Sequence, residues 1–391
     1  MEPTLFTANW SMTLLISAAV LLCIQLAYYI FIYAKPFQLI KQSNLSKLEY
    51  NDTLPPVSVI IYALNDSENL RKHLPKILEQ EYPNFEVIVI NDGSTDETEE
   101  VLKLYSANYT NLYHTYIPEE SRYLSRRKLA MTVGIKAAKH DYLLFTDSAS
   151  APVSSLWIER MMRNFTPDTD FVLGFSGYHP AKGLLASLVS FDNLLTMVHY
   201  LSRAISGKPY AGIGRNLAYR KSVFFQNKGF SKHLDLHFGE DNLFVNDNAT
   251  GKNTRVEIAT ESIIQTDTPE TSGIWKEIKL RLAGTACHYK GGNSILFGFE
   301  TFTRFIFFIN VILLIIVSNL NWIVIVEAIC LLLIRWIVRC VQITKLESLF
   351  LQKKTTVLTL LLDCINPICN LYFKLNRKVS YKNDYTWRLP K

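Results

Sequence analysis

Two acids in this chain each close a short hydrophobic run: Asp92 ends "FEVIVIND" and Asp147 ends "DYLLFTD". A carboxylate just past a buried strand can accept from N–H and O–H groups and can ligate a hard cation. Asn65 and Asp66 follow a third run, "VSVIIYA", and "FGEDNLFVN" sets Glu240 beside Asp241. Each group also has a plainer reading. "NDGSTDET" is a strand–turn–helix signal in which Asp92 and Gly93 turn the chain and Ser94 or Thr95 caps a helix. Asp147 reads as a loop acid, Asp241 as the cap of a helix from Asn242, and Arg127 and Lys128 as a solvated helix start. Two acids after two successive strand-like runs are harder to assign to turn chemistry alone. His233 and His237 share a helical face and read as solvated or packing side chains, and the chain has no Cys-x-x-Cys pair to form a zinc knuckle.

The elements that would position these residues are legible. Runs at 57–63, 85–92, 112–118 and 141–147 are short, apolar and rich in β-branched residues, with helical patterns between them at 68–79, 95–105 and 126–138. Strands alternating with helices predict an α/β fold, a mostly parallel sheet with helices on both faces. Ligands of such sheets bind beyond the carboxyl ends of the strands, so Asn65, Asp66, Asp92 and Asp147 are expected on one edge. None of the six cysteines falls between residues 24 and 286, which excludes a disulfide framework for this domain.

Hydrophobic residues make up 49% of the 391 residues, with a mean hydropathy of +0.09, the balance of a soluble domain joined to membrane segments. The net charge of +6 is too small and too dispersed for a nucleic-acid binder. Residues 12–33 carry no charge over 22 residues, about 33 Å of helix, and predict a membrane anchor within 1–35. Lys35, Lys41 and Lys47 follow it and place the next segment in the cytoplasm. A transmembrane hairpin is expected over 296–345, turning at Ser318–Asn321, with Glu327 facing protein or an interface. Within 355–391, Asp363, Asn366 and Pro367 interrupt an apolar stretch that precedes a basic tail, which predicts an interfacial or re-entrant helix and a cytoplasmic C-terminus.

The ordered motifs give a more specific resemblance. "VSVIIYALNDSENL", "FEVIVINDGSTDET", "RRKLAMTVGIKAAKHDYLLFTD", "GIGRNLAYRK" and "FGEDNLFVN" together resemble the family 2 glycosyltransferases of GT-A fold, over about residues 55–290. The resemblance implies a nucleotide-diphosphate-sugar donor, a divalent metal (magnesium or manganese) and inversion at the anomeric carbon. It implies that Asp92 accepts from the nucleobase beside Tyr62, Asn65 and Asp66, that Lys128 or Arg127 faces the diphosphate, and that Asp147 reaches the donor ribose or the metal. Asp241 is the implied general base, with Glu240 as its orienting neighbour, and Asn216 and Tyr219 are candidates for contacts to acceptor hydroxyls.

Two positions depart from the family pattern. The expected Asp-x-Asp reads Asp147-Ser148-Ala149, so one hard oxygen ligand is missing and any metal is expected to be weakly held. The Gln-x-x-Arg-Trp of processive synthases reads "IKLRL" at 278–282, leaving only Arg281 on the acceptor side. The expectation is a multi-pass enzyme of the cell membrane with its catalytic domain in the cytoplasm. It would add one sugar to a lipid-linked or lipopolysaccharide-type glycan. The alternatives are a catalytically impaired binding or scaffold subunit and a processive polysaccharide synthase.

Overall fold

The computed structural model describes residues 3–118, 125–318 and 321–384. An N-terminal helix α1 (Pro3–Tyr28) passes through one π-helical turn at Tyr29–Tyr33 into α2 (Lys35–Asn44). The domain then alternates β1 (Val57–Ala63), α3 (Ser67–Leu78), β2 (Phe85–Asn91), α4 (Thr98–Asn108), β3 (Leu112–Tyr116), α5 (Arg126–Ala137) and β4 (Tyr142–Asp147). It continues as β5 (Ser150–Pro152), α6 (Trp157–Met162), β6 (Phe171–Gly174), β7 (Ser176–Tyr178), α7 (Leu184–Ile205), β8 (Leu217–Arg220), α8 (Lys221–Gln226) and α9 (Asn242–Asn248). It closes with β9 (Thr254–Glu257), β10 (Ile264–Thr266) and α10 (Ser272–Ala286), before α11 (Asn293–Val317), α12 (Trp322–Leu349) and α13 (Thr359–Asp384).

The main sheet has the order β3-β2-β1-β4-β8-β6-β9. Strands β1 to β4 pair in parallel, and β8 runs antiparallel to both of its neighbours. The β-branched runs of β1 and β2 are buried on both faces, which is why they read as continuous rather than alternating apolar stretches. The strand order reverses between β1 and β4, where Tyr62 lies opposite Asp147. That is the switch point at which an open α/β sheet leaves a crevice for ligand. A smaller sheet, β5-β10-β7, stands beside it.

Among the described residues, four stretches are long and apolar enough to cross a membrane: Trp10–Asn44, Leu184–Ile205, Asn293–Val317 and Thr356–Asn376. Of these, Leu184–Ile205 is α7, whose side chains are mostly buried in the α/β domain. Helix α1 packs along α11 and α12 around Ala18, Leu22, Phe307, Val311 and Ala328. Of the two settings expected for Glu327, protein or an interface, the first does not hold, because it lies on the exposed flank of α12. Part of the hairpin turn (319–320) and of the basic tail (385–391) lies outside the described residues.

Helix α13 runs unbroken through Pro367, and the residues that interrupt its apolar sequence are the ones it buries. Asp363 accepts from Arg304 (3.0 Å), Arg335 (2.6 Å) and Arg339 (3.1 Å), tying α13 to α11 and α12. Glu300 pairs with Arg304 from within α11. Replacing Asp363 with Ala leaves three buried guanidiniums facing one acid, a loss expected to cost roughly 3–5 kcal/mol. A thermal melt of the Asp363→Ala protein in detergent checks this, and an unchanged midpoint would contradict it.

Candidate active site

The edge predicted from topology holds a cleft of about 500 Å³ lined by Arg127, Asp147, Ala149, Arg215, Glu240 and Asp241, among others. Asp147 arrives at the end of β4, and Arg127 sits in the first turn of α5. The Arg127 guanidinium lies between two acids: it donates to Asp147 at 2.8 Å and pairs with Glu240 at 2.5 Å. It also lies over the Tyr62 ring, 4.8 Å from its centroid. Burial works against its charge, but Asp147, Glu240 and Asp241 keep the guanidinium firmly protonated.

Asp241 caps α9 by accepting from the Asn242 amide (2.6 Å), and it also accepts from the Gly214 amide (2.8 Å). The capping reading of the sequence is therefore correct, and the capping residue also faces the cleft. Gly214 lies close: a Cβ there would stand 3.3 Å from the Asp241 carboxylate, a tight contact. Burial first, and the Glu240 charge second, push the Asp241 carboxyl up to about 6, against the lowering pull of the two amides and Arg127. A carboxylate with that value is largely ionised at neutral pH and still basic enough to take a proton.

The other sequence candidates divide. Tyr62 donates to Asp92 at 2.7 Å, and Asp92 is buried with its second oxygen held by Arg126 at 2.8 Å. Asn65, at a positive φ of 52°, accepts from the Thr95 amide and locks the β1 turn to the turn after β2. Asp66 accepts from the Ser148 hydroxyl at 2.7 Å and so braces the loop that follows Asp147. Arg281 lines the cleft, pairs with Glu277 and stacks over Phe238.

Three expectations are corrected by geometry. Lys128 points away from the cleft and donates to the carbonyls of His233 and Leu236, both at 2.5 Å, with burial pulling its ammonium down to about 8. One residue along a helix is a rotation of about 100°, so only one of the two cations can face the cleft. Asn216 is buried in the domain, where it donates to the Phe175 and Ser262 carbonyls and accepts from Trp157. Tyr219 is 2% exposed and stacks on Phe145, leaving no surface for an acceptor.

Lys128→Met is thus expected to strand two carbonyls and lower stability by about 1–3 kcal/mol. Nucleotide affinity should stay near that of the wild type. Melting curves and titration on one preparation separate the two effects, and a large affinity loss at unchanged stability would contradict this placement.

The sequence reading missed three cleft residues. Arg215 donates to Asn193 at 2.9 Å and lies over the Tyr178 ring, and Lys279 pairs with Asp192 at 2.8 Å. Trp275 lines the cleft on the same face of α10 as Ile278 and Leu282. Asp192, a lone acid inside the apolar run of α7, was the available signal.

The family description "Glycosyl transferase family 2" matches residues 58–226, which contain the sheet edge and Asp147. That segment is a family 2 glycosyltransferase domain. The chain is 36% identical over 194 residues to glycosyltransferase AglE of Haloferax volcanii, covering 48% of this chain and 60% of AglE. It is 34% identical over 122 residues to a poly-beta-1,6-N-acetyl-D-glucosamine synthase of Staphylococcus epidermidis, covering 31% of this chain and 27% of that one. The chain thus spans about a quarter of the synthase and three fifths of AglE. Among solved structures, a mannosyltransferase from Pyrobaculum calidifontis in complex with GDP-Man and Mn2+ superposes with a TM-score of 0.53. At 15% identity over 93% of this chain and 99% of that one, the likeness is one of fold, which is GT-A.

Proposed function

We propose that this protein transfers a single sugar, with inversion, from a nucleotide-diphosphate-sugar to a membrane-associated glycan acceptor, lipid-linked or of lipopolysaccharide type. The domain would work at the cytoplasmic face, anchored by α1 and the α11–α12 hairpin. The observation that carries the reading is that Asp241, raised to about 6, opens on the same cleft as Arg127 and Asp147. Asp241 would take the proton of the attacking hydroxyl while Arg127 offsets charge on the departing diphosphate. The nucleobase would lie against the loop from Tyr62 to Asp66, beside Asp92. Glu240 would orient Arg127, and Arg281 would meet the acceptor.

Among the described residues no three His, Cys, Asp or Glu side chains form a metal cluster. A divalent cation fits here as one held by Asp147 together with the donor's phosphates, since magnesium and manganese commonly take several ligands from phosphates and water. When bound, it would supply further charge neutralisation of the leaving group.

Transfer of one sugar is supported by the aliphatic Ile278 and Leu282, which line the cleft where the synthase pattern carries Gln and Trp. Mass spectrometry of the glycolipid product tests this. A product longer by one sugar is expected, and a ladder of lengths would establish the processive alternative.

A further inference from the structure

Position 149 lacks an acid, yet the neighbouring strand carries one beside it. β5 and β10 pair antiparallel, with Gln265 opposite Ala151 and Thr266 opposite Ser150. The next pair in that register is Asp267 with Ala149, and the Asp267 amide donates to the Ala149 carbonyl at 3.3 Å. Directly opposed residues place their Cβ atoms on one face, about 4.5–5.5 Å apart. The Ser150 and Thr266 hydroxyls meet at 2.7 Å, as expected for a pair that shares one face. Asp267, Ala149 and Asp147 all line the cleft.

We propose that Asp267 supplies, from across the strand ladder, the second carboxylate that position 149 lacks, so that Asp147 and Asp267 together hold the divalent cation of a nucleoside diphosphate. The inference rests on the donor reading above. The cleft holds one more acid with unused capacity: the Glu240 side chain is only 10% exposed, and while its Oε1 pairs with Arg127, its Oε2 is buried without a hydrogen-bond partner. Asp267 is currently engaged by Lys72 at 2.6 Å and His73 at 3.1 Å. Lys72 is 59% exposed, so that pair is weak and exchangeable. A carboxylate also retains further lone pairs for a metal.

Manganese binding to the full chain in detergent tests this, read by electron paramagnetic resonance with manganese alone and with UDP or GDP. The wild type should bind manganese only when a diphosphate is present. Asp267→Asn should weaken that affinity at least tenfold, and adding Ala149→Asp to it should return most of the loss by moving the carboxylate back across the ladder. Lys72→Met, an exposed change with little bearing on folding, should tighten manganese binding by freeing Asp267. Unchanged manganese affinity in both Asp267→Asn and Lys72→Met would overturn the inference, while nucleotide binding in the same samples would leave the donor reading standing. Failure of UDP and GDP to bind the wild type, with or without manganese, would overturn the donor reading and this inference with it.

Discussion

Asp241→Asn is expected to lower turnover by about 10²–10⁴-fold while leaving donor affinity near that of the wild type, the scale of losing a positioned general base. The substitution keeps an oxygen for one of the two amides that the carboxylate now satisfies, from Gly214 and Asn242. It removes the charge that Glu240 opposes. Because the carboxyl titrates at about 6 in the folded protein against 3.8 when free, its contribution to stability is complete below about 3.8 and is lost as the pH rises through 6. At pH 7 the ionised Asp241 therefore works against the fold, and the Asn variant should melt no lower than the wild type, and preferably higher. In the wild type, kcat/KM should fall about tenfold for each pH unit below 6, and that limb should be absent from the residual rate of the variant. Wild-type turnover in Asp241→Asn would end the base assignment. An unaltered pH limb in the residual activity would point to another titrating group.

Arg127→Met is expected to cost about 10²–10³-fold in turnover, the range for removing one preorganised charge at a leaving group. It should also weaken nucleoside diphosphate binding. The substitution leaves Asp147 and Glu240 facing each other without the cation that now bridges them. Arg127→Lys keeps the charge but cannot reach both acids with a planar fork, so it should recover binding better than rate. Titration with UDP and GDP beside single-turnover assays separates the two losses. An Arg127→Met protein with unchanged nucleotide affinity and rate would remove Arg127 from the chemistry.

Much of this site was legible because topology does not depend on side-chain detail. The first four strands were visible as β-branched runs bounded by Pro55, Pro56 and turn residues, and parallel pairing then brought Tyr62 and Asp147 to adjacent strand ends. Facing was less legible. Arg127 and Lys128 are alike in type and adjacent in sequence, and only the packing of α5 on the sheet decides which one meets the cleft. Tyr219 and Asn216 lie in a motif that follows the family pattern, but β8 turns Tyr219 into a ring stack, and Asn216 satisfies buried carbonyls. Strand register was invisible. Nothing in "IIQTDTPE" shows that Asp267 lies opposite Ala149, because β10 is three residues long and pairs with a segment more than a hundred positions earlier. Asp363 marks the same limit in the membrane region. Read along the chain it interrupts an apolar helix, and in three dimensions it is the acid shared by three arginines.

The most direct test of the central claim is a screen of nucleotide-diphosphate-sugars for release of the nucleoside diphosphate by the purified full chain. Wild type, Arg127→Met and Asp241→Asn would be run side by side, with manganese and with a chelator. The predicted result is that one donor is turned over by the wild type, that Asp241→Asn binds the same donor without turning it over, and that Arg127→Met both binds and reacts poorly. A wild-type protein that binds a donor yet releases no nucleoside diphosphate in any condition, manganese included, would contradict the claim and identify the chain as a binding subunit.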